Sequence, residues 1–207
     1  MAIGAINFTS VNLKLKKGVN TRAPRIKTKL EKAKRKAFQE FINQFKGHPI
    51  TKEIAAGPDA SNGSGTLGGY GNLFSFIGFQ QGDNPTLIIE QYILNKLRKS
   101  IQIVPNARAG GWSVSFDMPS LEDIAALSPM PWAGGRSWVV GIHSGISGLG
   151  EYMYTDRGAR YTTRSGTAFQ VDSRIRGGRF QNTPYMIPLL KFLRKKLNEE
   201  VRITVRT

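Results

Sequence analysis

The strongest constraint on this chain is a periodic run between Pro24 and Phe45. Ile26, Leu30, Ala33, Ala37, Phe41 and Phe45 recur at spacings of three and four, which at 3.6 residues per turn gathers them into one stripe. Pro24 suits the first helical position, and Gly47 with Pro49 ends the pattern. The sequence therefore predicts an amphipathic helix whose opposite face carries Lys27, Lys29, Lys32, Lys34, Arg35 and Lys36. A second pattern of this kind runs from about Tyr185 to Glu200, with Met186, Leu190, Leu193 and Leu197 as its stripe and Lys191, Arg194, Lys195 and Lys196 around it. A fold built on this sequence must bury two such stripes, one near each end.

The basic faces make the charge asymmetric. Residues 14–46 hold 12 Lys/Arg against 2 acids, residues 157–207 hold 12 against 3, and residues 47–156 hold 6 against 9. A nearly neutral body with basic ends, within a net charge of +16, predicts an acidic partner surface or phosphate. At 207 residues, a single domain spanning 1–207 with extensions is expected, and a core of that size needs no staples. There is no cysteine, so disulfides and thiolate-bound metals are excluded. The longest apolar run, Leu73 to Phe79, is far short of the roughly 20 residues of a membrane-spanning helix. The first residues lack the basic and apolar regions of a secretion signal, so a soluble, intracellularly made protein without membrane contact is expected.

Between the helices the signals are those of turns and strands. Residues 1–22 alternate through Ile6, Phe8, Val11, Leu13 and Leu15 and read as an N-terminal arm or strand. Residues 57–82 read as a glycine-rich loop that turns apolar at Leu73, Phe74 and Phe76. Asn84 and Pro85 open a helix over about Thr86 to Lys99, followed by a strand at Ile101–Val104. Trp112–Phe116 alternates as a strand, and Ser120-Leu121-Glu122-Asp123 has the form of a capping box. Trp138–Ile142, Glu151–Thr155, Ala168–Val171 and the terminal alternation of Val201, Ile203 and Val205 suggest further strands. The predicted class is α+β, an antiparallel sheet flanked by the N-terminal and C-terminal amphipathic helices, with extended arms or loops.

Catalytic chemistry finds little footing. Gly63-Ser64-Gly65-Thr66-Leu67-Gly68 matches a dinucleotide fingerprint by letter, but no strand precedes it and no helix clearly follows. His48 and His143 lack the partners that zinc or a hydrolytic triad requires. Leu149 stands where a nucleophile elbow around Ser147 would need glycine. No enzyme, cofactor or metal site is expected, since no acid, base and nucleophile converge. Basic helix faces and the Arg174-Ile175-Arg176-Gly177-Gly178-Arg179 element leave nucleic-acid binding open, either ribosome-associated or in DNA packaging. Expected partner-binding residues are Lys27, Lys32, Arg35, Lys36, Arg174, Arg176, Arg179, Arg194 and Lys195. Leu73, Phe74, Phe76, Trp132, Trp138 and Tyr185 are the expected anchors, with a place in the core as the alternative.

The order of features also resembles the neck and tail-completion proteins of tailed bacteriophages, in particular the minor tail-junction family of lambda-like phages. The resemblance lies in the basic first helix, in a Gly-x-Leu turn leading to a Ser-Ile strand, and in Asn182-Thr183-Pro184-Tyr185-Met186-Ile187-Pro188 opening the last helix. The turn phrase fits either Gly71-Asn72-Leu73 with Phe74-Ser75-Phe76-Ile77 or Leu97-Arg98-Lys99-Ser100-Ile101. Residues 145–184 have no counterpart in that family and read as an insertion or arm. The resemblance implies a structural virion protein, assembled in the host cytoplasm, that forms a homo-oligomeric ring, typically a hexamer. Such a ring joins portal or adaptor to tail proteins as a head–tail connector and can touch genomic DNA in the channel.

Overall fold

The computed structural model describes residues 13–15, 23–67, 71–106, 111–131, 133–144 and 183–206. It is a mixed arrangement of helices with two small antiparallel sheets. In chain order the elements are β1 (Leu13–Leu15), α1 (Ala23–Gly47), α2 (Pro49–Ala55), α3 (Leu73–Ile77), α4 (Pro85–Arg98), β2 (Gln102–Asn106), β3 (Gly111–Ser115), α5 (Leu121–Ala126), β4 (Pro129–Met130), β5 (Ala133–Ser137), α6 (Trp138–Ser144) and α7 (Met186–Arg206). The residues gather into two compact units, 1–44 with 90–123 and 188–207, and 45–89 with 124–187. The divisions fall inside α1, α4, α5 and α7 rather than in loops, which is why no linker is legible in the sequence.

The first unit is built on the predicted stripes. Leu30, Ala33, Ala37, Phe38, Phe41 and Ile42 of α1 are buried, as are Leu189, Leu190, Leu193, Leu197 and Val201 of α7. Lys36 meets Glu200 at 2.6 Å and Glu40 meets Lys196 at 3.1 Å, so the position on α7 falls as that on α1 rises and the two helices run antiparallel there. The sheet has the order β1-β3-β2, with Leu13 and Ile103 both opposite Val114. Val114 is fully buried, whereas Val104, one residue out of phase with Ile103, is exposed, as the period of two requires.

Lys34 departs from the sequence expectation. It was placed on the basic face, yet its relative exposure is 0%. Its Nζ donates to the carbonyl of Leu97 at 2.9 Å and to that of Lys99, and lies 5.8 Å from the centre of the Phe38 ring. Leu97 and Lys99 close the C-terminal end of α4, where carbonyls have no helical partners and the helix dipole favours a cation. One turn earlier, Glu31 accepts the Ile101 amide at 2.8 Å. These two α1 side chains thus fix the passage from α4 into β2.

The second unit contains α2, α3, the β4–β5 hairpin and α6. The apolar segment predicted as part of the 57–82 loop is helical over Leu73–Ile77. Asn72 Oδ1 caps it by accepting the Ser75 amide at 2.9 Å. Gly78 ends it at φ 89°, a left-handed conformation that glycine adopts without a Cβ penalty. The Phe79 amide reaches back to the Phe74 carbonyl at 3.2 Å, and the two rings lie 5.4 Å apart, a Schellman closure with its apolar contact.

Two predicted strands are helices. Trp138–Ile142 lies in α6 because Ser137 Oγ accepts the Val140 amide at 3.3 Å as a cap, and because Trp138, Val139 and Ile142 bury one helical face. The terminal alternation at Val201, Ile203 and Val205 continues α7 to Arg206. Val201, four residues beyond Leu197, extends the buried stripe, and adding residues to an existing helix needs no new nucleus. The predicted strands at 151–155 and 168–171 lie outside the described residues. A Lys34→Met variant keeps the aliphatic stem but strands two carbonyls at the end of α4, so it should lose about 2 kcal/mol of stability. Urea unfolding measures this, and an unchanged midpoint would refute a role for the ammonium.

Candidate partner interface

Lys29, Lys32 and Arg35 follow one another every three residues along the exposed side of α1, with Lys36 beside them and Lys27 near the start. All five are exposed. Lys36 is engaged by Glu200, whose hydrogen bond raises the lysine pKa. No carboxylate among the described residues pairs with Lys27, Lys29, Lys32 or Arg35. On α7, Arg194 and Lys195 are exposed, the latter 3.9 Å from Glu199. Arg174, Arg176, Arg179 and Trp132 lie outside the described residues.

The carboxylates behave differently from the cations, because most are engaged within the chain. Asp117 binds Lys96 at 2.9 Å and Lys99 at 2.7 Å. Burial raises the Asp117 pKa, but the hydrogen bonds from Lys99 and Lys96 outweigh it and the net shift is downward. Tyr92 donates to Asp123 at 2.5 Å, which lowers the Asp123 pKa, while the Ser120 hydroxyl caps α5 by accepting the Asp123 amide at 3.0 Å. Glu31 holds the Ile101 amide, Glu40 and Glu200 hold lysines across the α1–α7 seam, and Asp83 accepts the Gln80 amide.

Among the described residues Glu53 is the most enclosed carboxylate, at 3% exposure. It accepts the Ser64 amide at 2.8 Å and the Leu73 amide at 2.7 Å, holding two points within the glycine-rich segment. The Ser64 amide, which the fingerprint reading would turn toward a phosphate, therefore faces the chain's own anion. Asn72 adds a bond from Nδ2 to the Pro58 carbonyl at 2.7 Å. The sequence carried no signal for Glu53. The Lys34 position was legible in principle, because it lies four residues from both Leu30 and Phe38.

Five of the six expected anchors, those among the described residues, are buried within the chain. Leu73, Phe74 and Phe76 are buried on α3, and Trp138 and Tyr185 are among the largest fully enclosed side chains. Their rings form one cluster, with Trp138 6.2 Å from Tyr185, edge-on to Phe79 at 5.9 Å, and Tyr185 6.4 Å from Phe45. Clustering in an apolar interior removes ring surface from water, a stronger demand on these residues than display. Tyr185 Oη shares a 2.8 Å hydrogen bond with Thr51. His48 lies 4.9 Å from Tyr185 and caps α2 by accepting the Ile50 amide at Nδ1, so neutral imidazole is required; burial lowers its pKa accordingly.

Among the described residues, no group of three or more His, Asp and Glu is placed to hold a metal ion, and no helix is long and apolar enough to cross a membrane. His143 lies on α6 with its Nδ1 buried and without a hydrogen-bond partner among the described residues.

Two substitutions test the second unit. Glu53→Gln points an amide NH₂ at a backbone N–H and should cost about 2–3 kcal/mol in urea unfolding; a loss below 0.5 kcal/mol, the range of an ordinary surface change, would refute the anchoring role of Glu53. Burial raises the Tyr185 pKa above its ordinary 10.0, partly opposed by Thr51. The folded chain keeps that proton longer than the unfolded chain, so the Tyr185 contribution is present below pH 10.0 and is lost as pH rises above it. Tyr185→Phe should make the fall in stability above pH 10.0 shallower, as read from unfolding series on the two proteins.

Compared with known proteins, the chain matches no family model, no curated protein and no solved structure.

Proposed function

We propose that this chain is a structural subunit of a tailed-phage virion, a neck or tail-completion protein that assembles into a ring, six copies being the expected number. It joins the portal or adaptor to the tail around the genome channel, without catalysis or a cofactor. The finer fold reading belongs to the same proposal: an α+β body whose antiparallel sheet is flanked by the two terminal amphipathic helices, with residues 145–184 as an arm.

The observation that carries the reading is the imbalance of engagement. Carboxylates are drawn into ion pairs and backbone hydrogen bonds, while cations on α1 are left outward. A surface of that kind is completed by an acidic neighbour, as a joining subunit requires. Two local features also support the resemblance. Leu97-Arg98-Lys99-Ser100-Ile101 runs from the end of α4 to the start of β2, a helix-to-strand passage that suits the family's Ser-Ile phrase. Leu73–Ile77 is helical and suits it less. The Pro184-Tyr185-Met186-Ile187-Pro188 phrase opens α7, and its aromatic residue is buried.

Native mass spectrometry with electron microscopy of the purified chain tests the proposal. A closed ring is the expected result. A monomer whose affinity for duplex DNA falls about a thousandfold or more between low and moderate salt would overturn it in favour of a nucleic-acid-binding protein.

A further inference from the structure

We infer that the ridge of α1 formed by Lys29, Lys32 and Arg35 docks onto a carboxylate-rich helix of a different protein. The inference rests on the reading of the chain as a joining subunit and names the chemistry of one neighbour.

Three observations converge. Position supplies the first, since these exposed cations recur every three residues and lack a carboxylate partner among the described residues. Their neighbour Lys36 is held by Glu200, so the free part of the ridge is distinct from the α1–α7 seam.

The second observation is extent. Between Lys36 and Gln44 the exposed side of α1 is neutral, with Gln39 donating to Asn43 at 3.1 Å, and the next exposed cation is Lys46 in the last turn. Residues 29–36 therefore span about 10 Å along the axis. Carboxylates at i, i+3 or i+4, and i+7 of a facing helix cover the same length and meet these cations one for one. Duplex DNA presents one charge per roughly 1.7 Å of axis and gains affinity by neutralising many phosphates, which so short and convex a patch does not offer.

The third observation is that the described residues of a second copy offer no matching row of carboxylates. Glu31, Glu40, Glu53, Asp83, Asp117, Asp123, Glu199 and Glu200 all have partners inside the chain. The remaining carboxylates without a recorded partner among the described residues, Asp59 and Glu122, belong to different units and form no stripe.

The experiment compares the full chain with a K29E/K32E/R35E variant and a neutral K29Q/K32Q/R35Q variant. The probes are a labelled helical peptide of about 20 residues with Glu at every third or fourth position and a duplex of about 20 base pairs, read by fluorescence anisotropy. Thermal melts and native mass spectrometry run in parallel. Peptide binding should weaken at least about tenfold in the neutral variant and disappear in the reversed one, with melting and oligomeric state unchanged. Unchanged peptide binding with the ring intact would overturn the docking inference and leave the ring proposal standing. Loss of DNA binding without loss of peptide binding would overturn it in favour of phosphate. Failure of the wild-type chain to form a ring bears on the proposed function and not on this comparison.

Discussion

A lysine ammonium removed from water needs acceptors, and Lys34 finds two of them in the last carbonyls of a helix. The first unit depends on that exchange. The end of α4 must lie where the Lys34 side chain reaches it, and Glu31 on the same helix then fixes the first amide leading into β2. With the start of β2 set, its pairing places Ile103 opposite Val114, and β3 in turn sets β1. A shift of one residue would turn Val114 out of the core, so the ammonium acts on sheet register through the backbone as well as on helix packing.

Burial lowers the Lys34 pKa, countered in part by Glu31 and Asp117, which shows the direction of the cost. The folded unit binds this proton less tightly than the unfolded chain does, so the Lys34 contribution improves as pH rises toward 10.5, opposite in sign to that of Tyr185. Charge is nevertheless useful where it stands, because carbonyls at a helix C-terminus carry partial negative charge. The second unit contains the complementary arrangement. Glu53 is enclosed and satisfied by backbone amides, so the loop it holds is shaped by a carboxylate in the place where a glycine-rich segment could have gathered a phosphate. Each unit thus organises its main chain around one buried charge, and both lie on helices that contribute to the core.

This explains what the sequence made legible. The stripes of α1 and α7, the start of α4, strands β2 and β3 and the Ser120 cap were readable because each follows a local period or a local hydrogen bond. The helical nature of Trp138–Ser144 was hidden by β-branched residues, whose strand preference loses to the cap at Ser137 and to burial of a helical face. Glu53 was hidden for a different reason, since its partners lie 11 and 20 residues away and nothing in the local pattern specifies them. Lys34 shows the limit of counting charges on a helical wheel. Its flanking spacing marks the core stripe, but only the acceptors at Leu97 and Lys99 make a lysine acceptable there. For the partner-binding residues, periodicity located the basic face, while the division between engaged and unengaged members needed Glu200 to be placed.

That division changes what the basic ends mean. On the terminal helices, Glu40, Glu199 and Glu200 lie within reach of Lys36, Lys195 and Lys196, so acids that could have neutralised the outer face are drawn to or beside the seam. The reciprocal pairs select the antiparallel arrangement of α1 and α7 rather than adding much stability, as expected of solvent-exposed ions. Placing the few acids there leaves the ridge at Lys29, Lys32 and Arg35 cationic, and the same choice that orients two helices creates the surface. Asp117 does likewise near the end of α4, pairing with the largely covered Lys96 and with the exposed Lys99. The outward positive charge of the α1 ridge is thus what internal pairing leaves over, since the acids nearest to it are drawn to the α1–α7 seam.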